Sequence, residues 1–173
     1  MNGMDYWLAL KCPNLNTVDV KTVNNRILFL DIDGILNTGI SKKTFAKEFV
    51  DRINRITDTT GANIVISSNW RRYFKLNTLK ALLRRNGIKA PIIGYTPIFK
   101  NTNTYEVLMG HKRGTEIQAW LDAQDVKPKS IVILDDISDM LHLTPYLVLT
   151  DTYKGITDDD ADLAIEILKT QTL

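Results

Sequence analysis

The chain has 173 residues with a formal net charge of +2, 44% hydrophobic and 24% charged residues, which is long enough to bury a sizeable core. No apolar run approaches the ~20 residues that cross a bilayer. One cysteine excludes an internal disulfide, and two histidines exclude a Cys/His metal cluster.

Residues 1 to 26 read as an N-terminal extension, an arm or an extra strand. Its apolar patch "YWLAL" lacks a preceding basic region and is cut off by Lys11, Cys12 and Pro13, so it is not a secretory signal. A cytoplasmic protein with an inert Cys12 is the expectation. From residue 27 to 173 a single domain is expected, with a regular rhythm. Ile27–Leu30 is a buried strand. Phe45, Phe49, Ile53 and Ile56 share one helical face, and Gly61 ends that helix. "NIVIS", 63 to 67, is a second strand. Leu76, Leu79, Leu82 and Leu83 make the next helical stripe, closed by Asn86-Gly87, and "PIIGY" is a third strand. A polar connection from Thr96 to about Lys112 is long enough to suspect function. Thr115 with Gln118 reads as a capping box before a helix carrying Ile117, Trp120 and Leu121. "SIVIL" and "YLVLT" are strands four and five. Thr157 with Asp160 caps a last helix carrying Ala161, Ala164, Ile165 and Leu168.

Strand alternating with helix predicts an α/β fold, a Rossmann-like parallel sheet of about five strands flanked by helices. Near-continuous apolar strands fit a sheet buried on both faces. Right-handed crossovers then place every strand's carboxyl end along one edge, where such sheets bind ligands. Asp31 and Asp33 end the first strand. Ser67, Ser68, Asn69, Trp70 and Arg71 end the second, and Asp135, Asp136 and Asp139 follow the fourth. Lys112 and Arg113 start the helix before it. Carboxylates packed this closely repel unless a cation sits among them, and an all-oxygen ligand set suits Mg²⁺.

These residues resemble the haloacid dehalogenase-like (HAD) phosphohydrolases: "FLDIDGILN", a serine closing "IVIS", a basic residue opening a helix, and "VILDD" follow in that family's order. More narrowly, "LDIDGILN", "ISSNWR", "GYTP", "RGTEIQAWL" and "VILDD" look like the HAD domain found in Swiss Army Knife RNA repair proteins. The resemblance implies a Mg²⁺-dependent phosphatase in which Asp31 attacks phosphorus and Asp33 acts as general acid and then base. It implies a metal held by Asp31, the Asp33 backbone carbonyl and Asp136. Ser67 would bind the phosphoryl group, and Lys112 or Arg113, steadied by Asp135, would neutralise its charge. The match to "RGTEI" favours Arg113. Ser68, Asn69 and Arg71 are further candidate substrate contacts, although Arg71 serves equally as a structural ion pair. Trp70 reads as packing, His111 as a polar loop residue, and Asp139 as a turn or cap.

The intervals between these motifs leave no room for a large cap domain over the site. An open site favours a phosphate at the end of something larger. Ten Lys/Arg against one acid between Arg71 and Arg113 fit a polynucleotide or nucleotide as that partner, with no membrane role. A catalytically silent or regulatory module that binds phosphate or nucleic acid is the alternative. A phospho-acceptor receiver domain is disfavoured because its acidic pair and its phosphorylated Asp lie on different strands.

Overall fold

The computed structural model describes residues 25–38, 45–99 and 112–173. Nearly all of the expected N-terminal extension lies outside the described residues, as do His111, most of the polar connection after Thr96, and the side chain of Lys112. Five strands, β1 (Arg26–Leu30), β2 (Asn63–Ile66), β3 (Ile92–Tyr95), β4 (Ser130–Asp135) and β5 (Leu147–Leu149), form one parallel sheet in the order β3-β2-β1-β4-β5. The helices are α1 (Lys47–Thr60), α2 (Leu76–Arg85), α3 (Lys112–Asp122) and α4 (Asp158–Thr170). The chain winds outward from β1 to β3 and then returns to lay β4 on the other side of β1. The strand order therefore reverses between β1 and β4, and the crevice beyond their carboxyl ends is the natural ligand site.

Alternation along the strands sorts the core into two layers. Leu28, Leu30, Ile64, Ile66, Val132 and Leu134 face α1, α2 and α4, whereas Ile27, Phe29, Val65, Ile131 and Ile133 face α3. Each of these side chains is at most 1% exposed, and burying one contributes about 1.5–3 kcal/mol.

Two local expectations need correction. Phe45 precedes α1, whose cap position is Ala46, and packs on the core from the loop. The expected capping box at Thr115 and Gln118 does not form, because α3 already runs from Lys112. Gln118 instead donates its amide to Asp122 at 2.7 Å. The box at Thr157 and Asp160 does form, and it opens α4.

α4 is also bolted to α1 by charge. Arg52 donates to the Ile156 carbonyl at 3.0 Å and to Asp158 at 2.9 Å, and Arg55 reaches Asp162 at 2.6 Å. The hydrogen bond from Arg52 holds the Asp158 carboxyl below its ordinary range. A depressed folded-state pKa stabilises only above the unfolded value of roughly 3.9. Asp158→Asn is accordingly expected to lower the melting temperature slightly near neutral pH. The difference should close as the pH falls through the depressed pKa, which thermal melts across that range would show.

Candidate active site

The carboxyl edge assembles four chain segments. At the end of β1 the Asp31 amide continues the ladder to the Leu134 carbonyl at 3.0 Å, and its Oδ1 accepts from the Ile32 amide at 2.7 Å. The chain then turns, with the Leu36 amide donating to the Ile32 carbonyl at 2.9 Å. Gly34 makes this turn possible. Its φ is +76°, and a Cβ there would lie 2.6 Å from Asp136 Oδ2. Gly34→Ala should displace the Asp136 carboxylate and strain the backbone by roughly 1–2 kcal/mol. The expected result is divalent-cation binding weakened about tenfold or more. The check is the melting-temperature rise on adding the cation, which would be the same in both proteins if Asp136 were undisturbed.

Asp31, Asp135 and Asp136 each place a carboxylate oxygen within 4.8 Å of the others. Arg113, at the start of α3, answers part of this charge, with Nη1 3.0 Å from Asp135 and Nη2 3.4 Å from Asp31. Burial works against the Arg113 charge, but Asp31 and Asp135 outweigh it and hold the guanidinium above its ordinary value. Burial pushes the Asp135 carboxyl well up despite Arg113, and the neighbouring Asp31 adds to the rise. Three carboxylates around one guanidinium leave an excess of negative charge, in hard oxygen donors, that a divalent cation would neutralise. Asp136 is steadied by Thr152, whose hydroxyl donates to its Oδ2 at 2.7 Å. Lys112, the rival of Arg113, has its side chain outside the described residues.

The carboxylate of Asp33 does not join that cluster. Its Oδ2 accepts from Trp70 Nε1 and its Oδ1 from Asn37 Nδ2, each at 2.9 Å. The two aspartates thus have separate environments although only Ile32 stands between them: Asp31 belongs to the carboxylate cluster, and Asp33 is bonded to the indole.

Ser67 follows β2 and donates its amide to the Leu30 carbonyl at 2.9 Å. Its hydroxyl is buried without a hydrogen-bond partner among the described residues. An unanswered hydroxyl suits a phosphoryl oxygen arriving there. Ser68 instead accepts from the Trp70 amide at 3.3 Å, capping a 3-10 turn over Asn69–Arg72, and Asn69 accepts from Arg72 Nε at 3.2 Å.

Arg71 is turned inward. Its guanidinium is ion-paired with Glu116 and donates to the carbonyls of Ser67, Ser68 and Thr96, with a side-chain exposure of 0%. Of the two readings of this residue, the geometry corresponds to the structural ion pair, and a substrate contact finds no support. Burial pushes the group down, to about 10, against the pull of Glu116, so it remains cationic at neutral pH.

The family described as the HAD domain in Swiss Army Knife RNA repair proteins matches residues 27–161 of this chain. The chain belongs to that family. No curated protein and no solved structure matches it. The HAD domain's parallel sheet and its acidic cluster at the switch point are the parts that family membership would lead one to seek.

Four positions at the edge of the HAD domain carry roles that motif reading passed over. Asn37 and Trp70 orient Asp33, Thr152 orients Asp136, and Glu116 answers Arg71. Asn37 lies inside the quoted "DIDGILN", and Glu116 lies one helical turn beyond Arg113 in "RGTEI", so both sat in view. Thr152 had no signal, since only the fold brings the segment after β5 to Asp136.

Proposed function

We propose that this HAD domain is a Mg²⁺-dependent phosphomonoesterase working through an aspartyl-phosphate, with nucleic-acid ends or nucleotides as substrates. The observation that carries the proposal is the separate setting of Asp31 and Asp33: one carboxylate in an acidic cluster beside a guanidinium, the other held apart by two hydrogen-bond donors.

Asp31, Asp136 and the Asp33 carbonyl would hold the ion, which when bound supplies charge neutralisation for the approach of an anionic nucleophile to an anionic ester. The Asp31 carboxylate oxygen attacks phosphorus in line, and the bond from phosphorus to the ester oxygen breaks. Asp33 donates its proton to the departing oxygen. It then removes a proton from the water that attacks the aspartyl-phosphate, so Asp31 is regenerated and inorganic phosphate leaves. Ser67 Oγ donates to a phosphoryl oxygen during both steps. Arg113, fixed by Asp135 and the Ser67 carbonyl, meets the charge on the same group.

The described chain places α1 alone between β1 and β2, and α2 with β3 before the polar connection. That supports an open site and a substrate whose bulk lies outside it. The test is phosphate release, in Mg²⁺ and in EDTA, from a 3′-phosphorylated oligonucleotide, a 5′-phosphorylated one, a mononucleotide and p-nitrophenyl phosphate. Release that requires Mg²⁺ and is faster from the nucleotides supports the reading. No release from any of them would favour a catalytically silent phosphate-binding module.

A further inference from the structure

Beyond the acidic cluster, the chain from Asn69 to Lys75 lies along the rim of the site. Trp70 is its inner member, hydrogen-bonded to Asp33 through Nε1 at 2.9 Å. The Trp70 ring meets Phe45 at 5.9 Å between centroids and Phe74 at 5.8 Å, both tilted. From there the aromatic surface continues outward into solvent, with Phe74 43% and Tyr73 81% exposed. Neither belongs to the two buried layers of the core. Arg72 and Lys75 flank the pair; Lys75 is exposed, and the partly exposed Arg72 side chain donates Nε to Asn69 and lies 3.6 Å from Glu116. A ladder of rings running from an acid–base carboxylate to open solvent, interleaved with cations, is not explained by packing.

We propose that Trp70, Phe74 and Tyr73, with Arg72 and Lys75, form a leaving-group subsite that stacks the unpaired terminal bases of a single-stranded polynucleotide. The inference rests on the reading above, in which Asp33 stands on the leaving-group side of the phosphate. Trp70 donates its indole N–H to Asp33, so a leaving group protonated by that carboxylate would depart beside the Trp70 end of the rim. Base faces stack on exposed rings whatever their sequence, while guanidinium and ammonium groups meet the flanking phosphates. A blunt duplex exposes only the outer face of its terminal pair and cannot splay successive bases onto the rim, as a single strand can. The subsite therefore selects unpaired ends.

The test is fluorescence anisotropy of the full chain with a labelled single-stranded oligonucleotide lacking a terminal phosphate, so that the result does not depend on hydrolysis. The same sequence as a blunt duplex and a phosphotyrosyl peptide are the comparisons. The single strand is expected to bind about tenfold or more tightly than the duplex, and Tyr73→Ala/Phe74→Ala should remove about a tenfold share of that affinity. Tyr73→Phe should keep it, since the ring face is used. Arg72→Gln/Lys75→Gln should flatten the salt dependence by about one to two units of slope. Unchanged binding in a folded Tyr73→Ala/Phe74→Ala protein, equal affinity for the duplex, or tighter binding of the peptide would overturn the assignment. Single-strand binding that needs the rim, in a protein releasing no phosphate, would uphold the subsite while removing the phosphatase reading.

Discussion

Asp31→Asn is expected to reduce phosphate release at least about 10³-fold, roughly 4 kcal/mol of barrier, while the protein stays folded. The amide cannot form the acyl phosphate, so the chemical step disappears rather than slows. Stability should hold for a separate reason. Asp31 shares its surroundings with Asp135 and Asp136, and removing one of three crowded carboxylates relieves repulsion that Arg113 offsets in part. The Ile32 amide can still donate to the asparagine oxygen, as it does to Asp31 Oδ1. A melting temperature within a few degrees of the parent protein, together with lost turnover, is the joint outcome to look for. Residual turnover close to the parent rate would mean that another group attacks phosphorus, and the proposed mechanism would fail with it.

The largest loss of stability is expected from Arg71→Met. Arg71 and Glu116 are both buried, with side-chain exposures of 0% and 2%, and the guanidinium also serves the carbonyls of Ser67, Ser68 and Thr96. Methionine would leave a carboxylate in the interior answered, among the described residues, by the Phe99 amide at 3.3 Å and by the partly exposed Arg72 at 3.6 Å. Breaking such a pair costs about 3–5 kcal/mol. For a chain of this size that is a fall in melting temperature of roughly 6–20 °C. Adding Glu116→Leu should recover much of the loss, because the stranded charge is then gone. Arg71→Lys should recover little, since an ammonium cannot span the carbonyls and the carboxylate together. Equilibrium unfolding of the three variants would measure this. A single variant as stable as the parent would show that the pair contributes nothing to the fold.

The same pair has a bearing on the site. Arg71 and Arg113 both donate to the Ser67 carbonyl, and Glu116 stands one turn along α3 from Arg113. The end of β2, the end of β3 and the start of α3 are therefore held in one frame, in which the Arg113 guanidinium lies 3.4 Å from the Asp31 carboxylate. In this frame Arg71 acts through its neighbours.

The alternation of apolar strands with helical stripes determined the sheet, and the order of the motifs determined which residues meet at its edge. Periodicity and motif are local signals, carried by residues close in sequence, so "FLDIDG", "IVISS" and "VILDD" were legible as three strand ends bearing chemistry. The boundaries slipped at Phe45 and Thr115, where a residue suited to a helix face or cap was claimed by its surroundings in the fold. What only the tertiary structure decided was partnership. Arg71 was open to two readings, a phosphate contact or a structural ion pair, and the structure sets Glu116, 45 residues away, opposite it. Trp70 looked like core, yet its indole holds Asp33 and its ring opens onto an exposed aromatic rim. A side chain's charge and shape are written in the sequence, but the group it is paired with depends on which distant segments the sheet order brings to one edge.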